Sequence, residues 1–197
     1  MEQQEDLFDL LASSKVVDQS IYKATIEMLR KENVSDCLKY LQDDENLQCF
    51  LQSILQAMDI TNIDQEDGVK IQMKIMMDIL KSLKDHDFNH KNYCEGLCEE
   101  QRDKLIKKAS KNNEIGQLLK FLVLLTSIDE SFIQGGSNAL YLLVQMKNDL
   151  NNQSFEDIRI KNTSLIGANF VRCNFNGSEF ENVDISGLQF IICKKSG

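Results

Sequence analysis

The 197-residue chain has no proline, no tryptophan and only two histidines. Without proline nothing in the sequence obliges a helix to stop or forbids strands from stacking closely, and a proline-rich disordered linker is excluded. Long apolar runs are missing as well. The longest, residues 118–128, is interrupted by Lys120; a bilayer span needs about 20 residues, so this run reads as a buried helix. The opening Met1-Glu2-Gln3-Gln4-Glu5-Asp6 is acidic and lacks the charged-then-apolar order of a secretory signal. These absences give the expectation of a soluble, cytoplasmic protein with no membrane contact. There is no G-x-S-x-G and no cysteine beside a recognisable oxyanion hole, so no catalytic triad can be assembled. Neither an enzyme nor a cofactor is expected.

Charge is unevenly placed. The net −9 arises in residues 1–150, which hold 26 acidic and 17 basic residues, whereas residues 151–197 hold five of each. No basic patch is visible, which argues against nucleic acid as a partner, and the acidity reads as a solvated helical surface. Six cysteines without a secretory signal read as reduced thiols. Cys37 and Cys49 are expected on apolar helix faces, and Cys173 and Cys193 in a column of small residues, where a thiol acts as a small hydrophobe.

What is present is a period of five. Leu150, Phe155, Ile160, Leu165, Phe170, Phe175, Phe180, Ile185 and Phe190 place a large apolar residue at every fifth position. Two residues before each, from Ile160 onward, runs a second column: Ile158, Thr163, Ala168, Cys173, Ser178, Val183 and Leu188. On extended chain, residues two apart point the same way, so both columns lie on one side of the chain. Five matches neither the helical 3.6 nor the strand period of 2. It suits a chain that turns a corner every five residues and stacks on itself.

The stretch TSLIGANFVRCNFNGSEFENVDISG resembles the pentapeptide-repeat family, whose motif is A-(D/N)-L-x-x; the nearest matches are Ala168-Asn169-Phe170, Cys173-Asn174-Phe175 and Val183-Asp184-Ile185. The resemblance implies a right-handed, four-sided β-helix of about two coils, with the central and small columns inside. Ile158 and Leu188 are large for the small column, and Lys195 stands where the next central residue would fall. Upstream, GGSNALYLLVQMKNDLNNQSFEDIRI resembles the helix-to-repeat junction of NACHT-type NTPases that carry pentapeptide repeats before a WD-repeat propeller. The chain has no G-x-x-x-x-G-K-S/T and no Trp-Asp pair, so nucleotide hydrolysis is not implied.

The first 149 residues read as helices. Leu47, Phe50, Leu51, Ile54, Leu55 and Met58 form one stripe. Val34, Cys37, Leu38 and Leu41 form another, and Val69, Met73, Met76, Leu80 and Leu83 a third, in a helix started by Asp64-Gln65-Glu66-Asp67. Ile21, Ala24 and Met28 mark a further helix, and Leu7, Leu10 and Leu11 a short first one. Ile115, Leu118, Leu119, Leu122 and Leu125 mark the most buried. Gly135-Gly136-Ser137 is expected to break the chain, with Ser137 capping a last helix through Ala139, Leu140, Leu143 and Met146. About eight helices of roughly 8–18 residues are expected, packed as a bundle or a short stack of helix pairs.

Two motifs invite chemistry. His86, His90, Cys94 and Cys98 are all zinc-ligand types. On one helix they would climb about 6 Å per step and could not meet at one ion, so metal binding is not the preferred reading. Asp59 to Gly68 superficially resembles a calcium loop, but placing Gly68 at the sixth position puts Ile63 at the first, which rejects it.

The expected class is α+β, mainly α: a helical domain over 1–134, a capping helix over 135–149, the repeat over 150–192 and a tail over 193–197. Phe155, Ile160, Leu165, Phe170, Phe175, Phe180, Ile185 and Phe190 are expected to form the repeat core. The expected role is a non-catalytic protein-interaction or scaffold module, with an unknown protein partner docking near Phe190, Ile191 and Ile192. The alternatives are the regulatory region of a NACHT-type signalling protein, a DNA-mimicking inhibitor and a zinc-binding module. The DNA mimic needs a long acidic β-helix, which a charge-neutral repeat does not supply.

Overall fold

The computed structural model describes residues 6–58, 63–110 and 112–187. Its helices are α1 (Leu7–Ala12), α2 (Gln19–Lys31), α3 (Cys37–Gln42), α4 (Asp44–Ala57), α5 (Ile63–Asp85), α6 (Asp87–His90), α7 (Glu99–Ala109), α8 (Asn113–Leu125) and α9 (Ile133–Gln145); two strands follow, β1 (Arg159–Ser164) and β2 (Glu179–Asp184). The protein is thus mainly helical, with one short sheet in the repeat region. Among the described residues no helix is long and apolar enough to cross a membrane.

Side-chain chemistry sets the helix limits where proline cannot. Asp6, Asp18, Asp36, Asp43 and Asn112 each accept a backbone N–H at a helix start, which satisfies donors that have no partner inside the helix. At the other end, Asn33 and Lys147 take φ of 52° and 54°. The next amides, of Val34 and Asn148, reach back to Leu29 O and Leu143 O at 3.0 Å, closing α2 and α9 in the Schellman manner.

Most stripes read from the sequence are buried. Ile115, Leu118, Leu119, Leu122 and Leu125 lie at the centre, and α9 packs along α8. Three details differ. The inward face of α2 is Ile21, Tyr22, Thr25, Ile26 and Leu29, with Ala24 and Met28 at its margin. Cys49 is exposed on α4, because Phe50, Leu51 and Ile54 turn the packed face away from it. Helix lengths run from the four residues of α6 to the 23 of α5, wider than expected.

The largest correction concerns Gly135-Gly136-Ser137. The chain does not break there: α9 starts at Ile133, and both glycines lie inside it. A domain boundary at 134/135 would therefore cut a helix. The glycines are close-packing residues. A Cβ on Gly136 would meet Thr126 Cγ2 and sit 2.8 Å from Leu122 O, and one on Gly135 would lie 2.5 Å from Asn89 Oδ1. That same Asn89 oxygen accepts the Gly135 N–H at 3.1 Å, while its amide group donates to Ser131 O at 2.8 Å. Asn138 repeats the device one turn later, donating to Phe88 O at 2.7 Å and Lys91 O at 2.8 Å and accepting from Tyr93 N at 3.0 Å. Two buried asparagines therefore hold the α6 segment against α9. Asp129 does similar work, accepting from Ser131 N at 2.9 Å before α9 and from Cys37 N at 2.9 Å at the start of α3. Burial alone would raise its pKa, but these hydrogen bonds outweigh burial and hold the carboxyl below its ordinary value.

Two substitutions of the same kind should thus act in opposite directions. Gly136→Ala should lower stability by about 2–3 kcal/mol, because neither Leu122 O nor Thr126 can withdraw without disturbing α8. Gly68→Ala, in α5 with nothing within 4 Å, should raise it by about 0.5–1 kcal/mol through helix propensity. Denaturant unfolding of both variants checks the assignment; equal effects would contradict it.

Candidate interaction site

In the repeat the backbone itself has a period of five. Asn152, Asp157, Asn162, Gly167, Arg172, Gly177, Asn182 and Gly187 all have positive φ, between 49° and 77°. Each lies two residues after a central apolar residue and turns the chain. Asn, Asp and Gly tolerate this conformation; Arg172 is the exception and carries a cost of about 1–2 kcal/mol. This column was present in the sequence as a spaced run of Asn, Asp and Gly, a signal that attention to the apolar columns passes over.

The corners bring the chain back over itself. β1 and β2 pair in parallel with Arg159 opposite Glu179, Ile160 opposite Phe180 and Thr163 opposite Val183, a spacing of 20 residues. Outside the strands Ser154 bridges to Asn174, Phe155 N donates to Asn174 O at 2.7 Å, and Glu179 N to Ile158 O at 2.8 Å. The 20-residue return is four pentapeptides long. The strand pair is one part of this return, and the rest is made of isolated bridges and turns. Inside, Phe155 and Phe175 stack at 5.4 Å and 17°, with Phe170 edge-on to Phe175 at 5.1 Å.

The two edges of this sheet differ. The β1 edge is sealed by α8 and α9. Arg159 N–H donates to Thr126 Oγ1 at 3.0 Å, and Lys161 N–H to Ser137 Oγ at 2.9 Å. Each hydroxyl in turn donates to a helix carbonyl, Val123 O and Ile133 O, both at 2.7 Å. Ser137, expected as a helix cap, is a strand cap instead. Arg159 adds a bond from Nε to Thr126 O at 2.8 Å and one from Nη1 to Glu130 Oε1 at 2.7 Å. On the α2 side Arg30 donates to Glu156 O at 2.7 Å and to Ser127 Oγ at 2.9 Å.

The β2 edge pairs with no other described strand. Burial falls along the repeat accordingly. Phe155, Ile158, Ile160, Leu165 and Phe170 are buried, Cys173, Phe175 and Val183 are half-buried, and Phe180 and Ile185 are 42% and 50% exposed. Phe180 and Ile185 therefore do not join the closed core expected of them, because among the described residues no further layer lies over them. Phe190, Ile191 and Ile192, the expected docking point, lie outside the described residues.

The metal candidates are scattered. His86 is buried at the start of α6, where Nδ1 accepts the Phe88 N–H at 2.9 Å, and His90 is exposed. Cys94 is half-buried and Cys98 buried in the following turns. Among the described residues no three His, Cys, Asp or Glu side chains are grouped to hold an ion. The site thus offers a strand edge that is unpaired among the described residues, apolar side chains and carboxylates. The hydroxyls of Thr126 and Ser137 and the guanidinium groups of Arg30 and Arg159 are occupied in fastening the repeat to the helices.

Residues 154–190 match the family model Pentapeptide repeats (8 copies). This segment of the chain carries pentapeptide repeats. The match covers under a fifth of the sequence and leaves the helical part unassigned. No curated protein and no solved structure matches the chain.

The two hydroxyl positions can be tested against a third. Ser137→Ala leaves the Lys161 amide without its acceptor and should cost about 1–3 kcal/mol. Thr163 is buried in the small column, and its hydroxyl has no partner among the described residues. Thr163→Val should therefore stabilise by about 1 kcal/mol. Thermal and denaturant unfolding give both signs; a loss at Thr163 comparable with that at Ser137 would refute the distinction.

Proposed function

We propose that the chain is a non-catalytic protein-interaction module in which a helical body presents a short, right-handed, four-sided β-helix. The 20-residue return and the positive φ at every fifth residue support the β-helix. The observation that carries the function is the asymmetry of the sheet. One edge is closed by the hydroxyls of Thr126 and Ser137, while the other leaves Phe180 and Ile185 open beside a strand edge that no other described strand pairs with. An unpaired edge beside apolar side chains is a template for another chain. The five described cysteines are unpaired, which fits a cytoplasmic setting. A second reading, as the helical and repeat section of a NACHT-type signalling protein, draws on the short passage from α9 into the first layer.

A photo-reactive amino acid placed at position 180 of the full chain, in cells that express it, tests this reading. A discrete protein adduct is expected there, lost when Ile185 is changed to Ser. The control is position 71, also exposed at 59% but on α5. Adducts from position 71 alone, or none from position 180, would place the working surface elsewhere.

A further inference from the structure

The layers of the repeat alternate in charge. On β1, Arg159 and Lys161 flank the buried Ile160; on β2, Glu179 and Glu181 flank Phe180. The register sets Arg159 opposite Glu179, Ile160 opposite Phe180 and Lys161 opposite Glu181. Directly opposed side chains on neighbouring strands favour unlike charges and penalise like ones. β1 therefore displays the kind of strand that β2 accepts. Arg159 is committed to Glu130, whereas Glu179 and Glu181 are exposed and form no ion pair with a described residue. The second edge of β2 repeats the same demand with nothing described to meet it.

We propose that the free edge of β2 binds an extended segment of a partner protein, added parallel to the sheet, with the pattern basic–large apolar–basic. The apolar side chain lies over Phe180, and the basic ones lie opposite Glu179 and Glu181. Main-chain hydrogen bonds supply the common part of the binding, and the carboxylates select the sequence. A second copy of this edge is the wrong occupant: two β2 strands face to face would set Glu179, Glu181 and Asp184 of both copies against one another. The proposal rests on the reading of the repeat as an interaction surface and adds the chemistry of its partner.

The test uses the full chain and a fluorescent peptide copied from residues 157–166, which contains Arg-Ile-Lys. Its control has Glu at the positions of Arg159 and Lys161. Fluorescence anisotropy should show the basic peptide binding at least about tenfold more tightly, more weakly in high salt, and not at all when its strand amides are N-methylated. Glu179→Lys with Glu181→Lys in the chain should reverse the preference at a small cost in melting temperature, because each Lys then faces Arg159 or Lys161. Glu179→Gln with Glu181→Gln should abolish the preference in a chain that stays folded. Equal binding of both peptides, or binding that survives N-methylation, would overturn strand addition. So would dimerisation of the free chain through this edge. If neither peptide binds while position 180 still gives its cross-linked adduct, the strand proposal fails and the interaction reading stands. If the peptide binds but no adduct forms in cells, the edge is competent and the wider reading fails.

Discussion

The fastening of two strand amides by two helix hydroxyls is the constraint on which the rest depends. A sheet of two strands has two open edges, and each unmet amide that is taken from water costs roughly as much as a lost hydrogen bond. Thr126 and Ser137 meet this demand for Arg159 and Lys161. They can do so because each hydroxyl both accepts and donates, so the strand amide is joined to the helix backbone through one oxygen. The arrangement fixes where α8 and α9 lie, and it explains why Gly136 has no side chain: a Cβ there would fall between the helices, against Thr126 and Leu122 O.

From that anchor the packing grades outward. The first layer draws on the helical core, where Leu150, Phe155, Ile158 and Ile160 belong to the same cluster as Leu118, Leu122 and Leu140. The second layer packs on the first, and its last described apolar residues, Phe180 and Ile185, are half in water. Stability of the repeat is therefore imported from the helices and declines toward β2. Function can use such a gradient, since the end that is least satisfied by the chain itself is the end with most to gain from another chain.

The inward columns were legible because a period of five keeps each phase on one side of the repeat, whatever lies around it. The loss of burial at Phe180 and Ile185 was not legible. They have the same residue type and phase as Phe155 and Ile160, and only the presence or absence of a covering layer separates them. The helical stripes could be read for the same reason as the columns. Gly135-Gly136 could not, since a glycine pair signals a break or a close approach with equal force, and the residues that decide, Asn89 and Thr126, are remote in sequence or belong to another helix. Ser137 was noticed for its hydroxyl but assigned to the wrong backbone. For His86, His90, Cys94 and Cys98 the residue types suggested a metal, while their placement on a short helix, in turns and at different depths separates them.

Fastened in this way, the first layer of the repeat and the helices α8 and α9 should open together. Native-state hydrogen exchange measures this most directly, through the amides of Arg159 and Lys161. If the hydroxyl bonds from Thr126 and Ser137 join strand and helix into one cooperative unit, these amides should exchange with the same opening free energy as the core amides of α8 and α9. Exchange at residues 159 and 161 that is orders of magnitude faster than in α8 and α9 would show a repeat that opens by itself, and would contradict the account.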